Sequence, residues 1–88
     1  YADVPEDAML VEYINRALKR ATYDKLEDDG TFVGEVPGLQ GVLANAPTLE
    51  ACRDQLAEVI EDWVLFRIAH GMDVPEIDGI TVAVTRVA

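Results

Sequence analysis

The sequence predicts an α+β domain in which an N-terminal helix, a three-stranded antiparallel meander, a long amphipathic helix and a final strand follow one another. Three observations predict it. Leu10, Ile14, Ala17, Leu18 and Ala21 recur at three- and four-residue intervals, as on a one-sided helix. Between Asp28 and Leu49, two turn signals separate short alternating runs. Leu49, Cys52, Leu56, Val59, Trp63 and Phe66 then form a seam with helical steps, widened by Ile60 and Val64.

Residues 1–8 read as a flexible polar lead-in, with Met9 a candidate natural start. The first helix is expected over 10–21. Arg16, Lys19 and Arg20 gather near its C-terminal end, where cations complement the helix dipole. A first strand over 22–27 places Tyr23 and Lys25 on one side and Thr22, Asp24 and Leu26 on the other. Asp28-Asp29-Gly30 supplies residues that tolerate the positive φ of a tight hairpin, and Thr31 to Val36 returns as the second strand. Within it Phe32, Gly34 and Val36 alternate with Thr31, Val33 and Glu35.

Pro37-Gly38-Leu39-Gln40-Gly41 ends that strand, because Pro37 has no N–H to donate and the glycines permit left-handed backbone. Val42 to Ala46 is the third strand. Pro47-Thr48-Leu49-Glu50 opens the long helix with Thr48 as N-cap, and Gly71 closes it in the C′ position after His70. From Leu49 to His70 such a helix is roughly 33 Å long. Strands of about 17 Å cover only part of it. Its last two turns, with Trp63, Phe66 and Ile68, therefore need cover from the first helix or from another subunit, and these three are the candidate oligomer interface. Ile80-Thr81-Val82-Ala83-Val84-Thr85 alternates strictly as a final strand. Only Arg86, Val87 and Ala88 follow, so no C-terminal DNA-binding domain is expected, and 1–88 reads as one domain with a β-β-β-α-β core over 22–88.

Tyr23, Asp29-Gly30, Phe32-Val33, Val36-Pro37-Gly38-Leu39 with Gly41, and Thr48-Leu49-Glu50 before an amphipathic helix resemble the HicB-like antitoxins, the UPF0150 group. The resemblance covers roughly Ala21 to Val74. One departure is Ala51-Cys52, where such proteins usually carry a Glu-Ala pair; it removes the carboxylate that a capping box places three residues after Thr48. The resemblance implies a sheet like a truncated RNase H fold. It also implies a role in neutralising a HicA-like toxin, a small basic RNA-cleaving protein, by covering its active surface.

Composition narrows the functions further. At 88 residues one small core is sufficient but marginal. Seventeen acidic against seven basic residues give a net charge of −10, which repels a phosphate backbone and suits a basic protein partner. Direct nucleic-acid binding by the chain alone is not expected. Neither a membrane span nor a leader pattern is evident, so a cytoplasmic protein without membrane attachment is expected.

No catalytic site, metal or cofactor is expected. The hairpin acids Asp24, Asp28, Asp29 and Glu35 cluster at a turn, where Asp is favoured on conformational grounds alone. Cys52 lies in the apolar seam and reads as a small buried hydrophobe. It stands about five helical turns from His70, the only histidine, so the two cannot act as nucleophile and base within one subunit. Serine is absent.

Glu50, Asp54, Glu58 and Asp62 instead recur at i, i+4 positions as a column of like charge. The column reads either as a solvated face or as an acidic surface for a basic partner. The functional expectation is a HicB-like antitoxin with those four residues as its partner-binding candidates and a homo-oligomer, a dimer or higher even number, as its assembly. An orphan self-associating scaffold is the alternative. A metal-dependent nuclease is a distant third.

Overall fold

A computed structural model describes residues 6–82 of the 88. Its elements are α1 (Glu6–Lys19), β1 (Thr22–Lys25), β2 (Phe32–Glu35), β3 (Leu43–Ala46) and α2 (Leu49–Ala69). The strands form one antiparallel sheet in the order β1-β2-β3. In its register Tyr23 faces Gly34, and Gly34 faces Ala44.

α1 begins a turn earlier than the apolar spacing indicates, so Glu6 to Ala8 of the expected lead-in are helical. The pair Glu6-Asp7 accounts for this, since acidic residues are favoured in a first helical turn. At the other end the backbone tightens, Arg20 N–H donating to the Ala17 carbonyl and Ala21 N–H to Leu18. The face comprising Leu10, Ile14, Ala17, Leu18 and Ala21 packs on the core as expected. Tyr13 joins it fully buried, its hydroxyl donating to the Pro75 carbonyl at 2.6 Å. Burial pushes that phenol's pKa up, and nearby Arg67 partly opposes the shift. The bond fastens the segment after α2 onto α1.

The first hairpin closes through Leu26 N–H to Thr31 O at 2.7 Å, with Gly30 at φ 74°. Asp29 Oδ1 accepts from both Thr31 N–H and Thr31 Oγ1–H, an Asx-type turn that holds its carboxyl below the ordinary range. The second connection is a pair of consecutive turns. Leu39 N–H donates to Val36 O and Val42 N–H to Leu39 O, with Gly38 and Gly41 at positive φ, and Leu39 drops into the core.

α2 is capped at both ends as its flanking residues indicate. Thr48 Oγ1 accepts from Ala51 N–H at 3.1 Å. At the C-terminus Met72 N–H returns to Arg67 O and Gly71 N–H to Ile68 O, the paired bonds of a Schellman motif, with Gly71 at φ 68°.

The buried stripe of α2 differs from the expected seam. Cys52, Leu56, Ile60 and Val64 are buried, whereas Leu49 and Phe66 are exposed. Four-residue steps overshoot a full turn by about 40°, so this stripe winds around the helix. The winding suits a change of partner: α2 lies across β2 and β3 and also packs against α1.

After α2, Ile77 and Ile80 exchange backbone hydrogen bonds as a single bridge around Asp78-Gly79, both at positive φ. Part of the expected final strand, 83–85, lies outside the described residues. Among the described residues, Ile80 to Val82 add no fourth strand to the sheet. Arg20, one of the three cations at the end of α1, pairs with Asp78 and anchors this turn to that end of the helix. The pairing draws the Asp78 carboxyl below its usual range.

Cys52 is fully buried, its Sγ 3.7 Å from the Ala44 carbonyl, and burial pushes its thiol pKa up. Native protein is therefore expected to resist iodoacetamide at neutral pH and to react only as it unfolds. Labelling followed by mass spectrometry along a urea series checks this, and rapid alkylation without denaturant contradicts it.

A candidate partner-binding surface on the long helix

The two faces of the sheet differ. Gly34, Val36, Val42, Ala44 and Ala46 are buried, while Glu35, Leu43 and Asn45 alternate with them and are exposed. At the free edge of β3, Asn45 N–H donates to Gln55 Oε1 of α2 at 2.7 Å, and Asn45 Nδ2 reaches back to the Phe32 carbonyl. Pro47, next on that outward side, has no N–H. The Asn45 position of this edge is thus occupied by the chain itself.

The exposed side of α2 carries the predicted column. Glu50, Asp54, Glu58 and Asp62 are all exposed, and among the described residues none is held in an ion pair. Only Glu50 lies in the first turn, where the dipole favours an acid. The other three are four residues apart on a helix capped at both ends and repel one another, an effect that Arg53 beside Asp54 offsets only in part. This makes a rigid ridge of one sign.

The same four-residue row continues into Phe66 and His70. His70 Nδ1–H donates to the Phe66 carbonyl at 2.8 Å, as its place at the helix end suggests, and its ring stacks on Phe66 at 4.0 Å between centroids.

The three residues expected at an oligomer contact do not share one environment. Trp63 is half-buried, its Nε1–H donating to the Gln40 carbonyl at 3.2 Å, while the Arg67 guanidinium lies 4.8 Å from its ring centroid. Arg67 in turn donates from Nε to the Asp73 carbonyl at 2.6 Å. Ile68 is half-buried against the core. Phe66 alone of the three is exposed, and Leu65 beside it, which the seam did not single out, is exposed as well.

The acids of the first hairpin do not assemble with those of α2. Among the described residues no group of three or more His, Cys, Asp or Glu side chains is placed to hold a metal ion. An open hollow of about 450 Å³ lies along Glu35 to Leu43, with Glu35 its one charged lining residue. Among the described residues no helix is long and apolar enough to cross a membrane.

The UPF0150-like family model matches residues 12–75, which include the whole sheet and all of α2. The chain belongs to the UPF0150-like family. A UPF0150-like assignment agrees with the motif order from Tyr23 to the start of α2. The fold is also similar to the crystal structure of TTHA0281 from Thermus thermophilus, at 29% sequence identity and a TM-score of 0.79, covering 89% of this chain and 96% of that one. No curated protein matches the chain. For this UPF0150-like protein, the acidic ridge lies wholly within the family-matched segment, and the Asp78-Gly79 turn lies outside it.

Proposed function

We propose that this chain is an antitoxin-type binding protein that captures a small basic HicA-like, mRNA-cleaving toxin through the acidic ridge of α2. The observation that carries the reading is the row Glu50, Asp54, Glu58 and Asp62, exposed and unpaired among the described residues on a helix fixed at both ends. A column of like charge costs stability in the free protein, and a cationic partner turns that cost into attraction. UPF0150-like membership and the net charge of −10 support the same reading. The role is binding in the cytoplasm, without catalysis.

Tagged chain recovered from its native host is expected to bring down a small basic protein, identified by mass spectrometry. That protein alone is expected to cleave mRNA, and stoichiometric addition of this chain to stop the cleavage. The opposite result is Mg²⁺- or Mn²⁺-dependent cleavage by the purified chain itself, lost in Asp24→Asn or Glu50→Gln. It would replace the antitoxin reading with a nuclease.

A further inference from the structure

Two Asp-Gly pairs occur in the chain, Asp29-Gly30 and Asp78-Gly79, and the fold treats them differently. An aspartyl side chain that precedes glycine can be attacked by the glycine's own backbone nitrogen, because no Cβ obstructs the approach. We propose that Asp78-Gly79 is a modification site, at which Asp78 converts spontaneously to isoaspartate, and that Arg20 restrains the conversion.

The reaction needs no partner but water. The Gly79 nitrogen forms a bond to Cγ of the protonated Asp78 carboxyl and gives up its proton. The carboxyl hydroxyl leaves with that proton as water, and a cyclic succinimide results. Water then adds at the α-carbonyl and breaks its bond to the Gly79 nitrogen. The main chain now runs through the former side chain, longer by a methylene, with the α-carboxyl as the pendant acid. One water leaves and one enters, so nothing is oxidised and mass and charge are unchanged.

Three observations separate this pair from the first. Gly30 N–H donates to the Leu26 carbonyl at 2.9 Å, whereas Gly79 N–H has no backbone acceptor among the described residues. Asp29-Gly30 closes the ladder between β1 and β2, while Asp78-Gly79 spans only the isolated Ile77–Ile80 bridge, so rotation about Asp78 opens little else. Asp78 also sits in left-handed backbone at φ 51°, which a residue with a side chain leaves readily.

The opposing restraint is the guanidinium of Arg20, whose Nε–H donates to Asp78 Oδ1 at 3.0 Å. With Arg16 and Lys19 nearby, it keeps Asp78 as a carboxylate, which has no hydroxyl to release. Conversion therefore waits for the ion pair to open. Once it has occurred, the lengthened turn no longer sets Ile77 and Ile80 to exchange both backbone bonds, and the displaced carboxyl leaves Arg20. The site lies outside the family-matched segment and apart from the α2 ridge, so its test does not depend on the proposed partner.

Purified chain is aged at neutral pH and digested, and isoaspartate is located by electron-transfer fragmentation in the mass spectrometer. It is expected at position 78 about fivefold ahead of position 29, the ratio that one net backbone hydrogen bond supplies. Arg20→Gln is expected to raise the rate at 78 several-fold and to leave position 29 unchanged. Arg20→Lys, which keeps the charge without the planar fork, is expected to fall between. In urea the two positions are expected to react alike, since the difference belongs to the fold. Equal conversion at 78 and 29 in the folded chain would overturn the proposal. So would a preference for 78 that persists in urea, or an Arg20→Gln rate equal to that of wild type.

Discussion

Gly34→Val is expected to destabilise the domain by about 3 kcal/mol, the upper range for overpacking, and so to lower its melting temperature by on the order of 15 °C. A Cβ at this position would lie 2.9 Å from Cδ1 and Cε1 of Tyr23 and 3.2 Å from Sγ of Cys52. β2 is the central strand, paired with β1 on one side and β3 on the other, and cannot retreat without breaking a ladder. Cys52 is held in the buried stripe of α2.

The Tyr23 ring is the remaining element that can move. Its hydroxyl is buried and has no hydrogen-bond partner among the described residues, and burial pushes its pKa up. Among the described residues the packing of that ring across the glycine is therefore maintained by shape, without a polar tether. Tyr23→Ala in the Gly34→Val background is expected to restore part of the loss by vacating the contested space. Thermal unfolding followed by circular dichroism measures both variants. A Gly34→Val melting temperature within a few degrees of wild type, on the same scale, would mean that the ring swings aside at little cost.

The same contact shows what kind of information the sequence held. Gly34 is legible as one of the alternating positions of the second strand, and Tyr23 as one of those of the first. The reason for glycine is not, because it depends on the register that sets Tyr23 opposite Gly34 and on the descent of Cys52 from α2. Local chemistry was legible: the Asp29-Gly30 turn, the Pro37–Gly41 connection, the Thr48 cap and Gly71 at C′ all depend on residues adjacent in the chain.

Features set by distant partners were not legible. The seam on α2 was expected to run from Leu49 to Phe66, widened by Ile60 and Val64; Cys52, Leu56, Ile60 and Val64 of it are buried, while Leu49 and Phe66 at its two ends are exposed, on a helix covered by both the sheet and α1. Tyr13 stands three residues after Leu10 and four before Ala17, so its place on the inner face follows the spacing, but the Pro75 carbonyl that receives its hydroxyl lies 62 residues away and could not be read from it. Trp63, expected to need cover from the first helix or from another subunit, sets its indole N–H on the Gln40 carbonyl and its ring beside the Arg67 guanidinium, two groups brought to it by tertiary structure. The start of α1 was placed too late for a local reason, since 1–8 read as a lead-in while Glu6 to Ala8 are helical. The acidic column was visible in full, because i, i+4 spacing on a long capped helix decides its alignment without reference to any other element.

That column carries the largest functional effect expected. Neutralising it in Asp54→Asn, Glu58→Gln and Asp62→Asn together should slow association with the proposed basic partner by on the order of tenfold at low salt. Reversal to Lys at the same three positions should slow it by on the order of 100-fold, within the range that electrostatic steering spans. Steering acts before the surfaces touch, so the wild-type on-rate should fall steeply as salt rises and the Debye length shortens, while the neutralised variant should show a flattened dependence.

Stability should move the other way. Each like-charge i, i+4 pair costs a few tenths of a kcal/mol, so the neutralised chain should melt at the same temperature as wild type or slightly higher. The opposite signs of the two effects separate them from a folding defect, which would lower both. Stopped-flow association at several salt concentrations, paired with thermal melts of the free chains, supplies the comparison. An on-rate at low salt that neutralisation leaves unchanged would make the column a solvated face and move the search for the partner site to Asp28, Asp29 and Glu35 on the hairpin. There Asp29 is already engaged by Thr31, whereas the α2 acids have no such partner among the described residues.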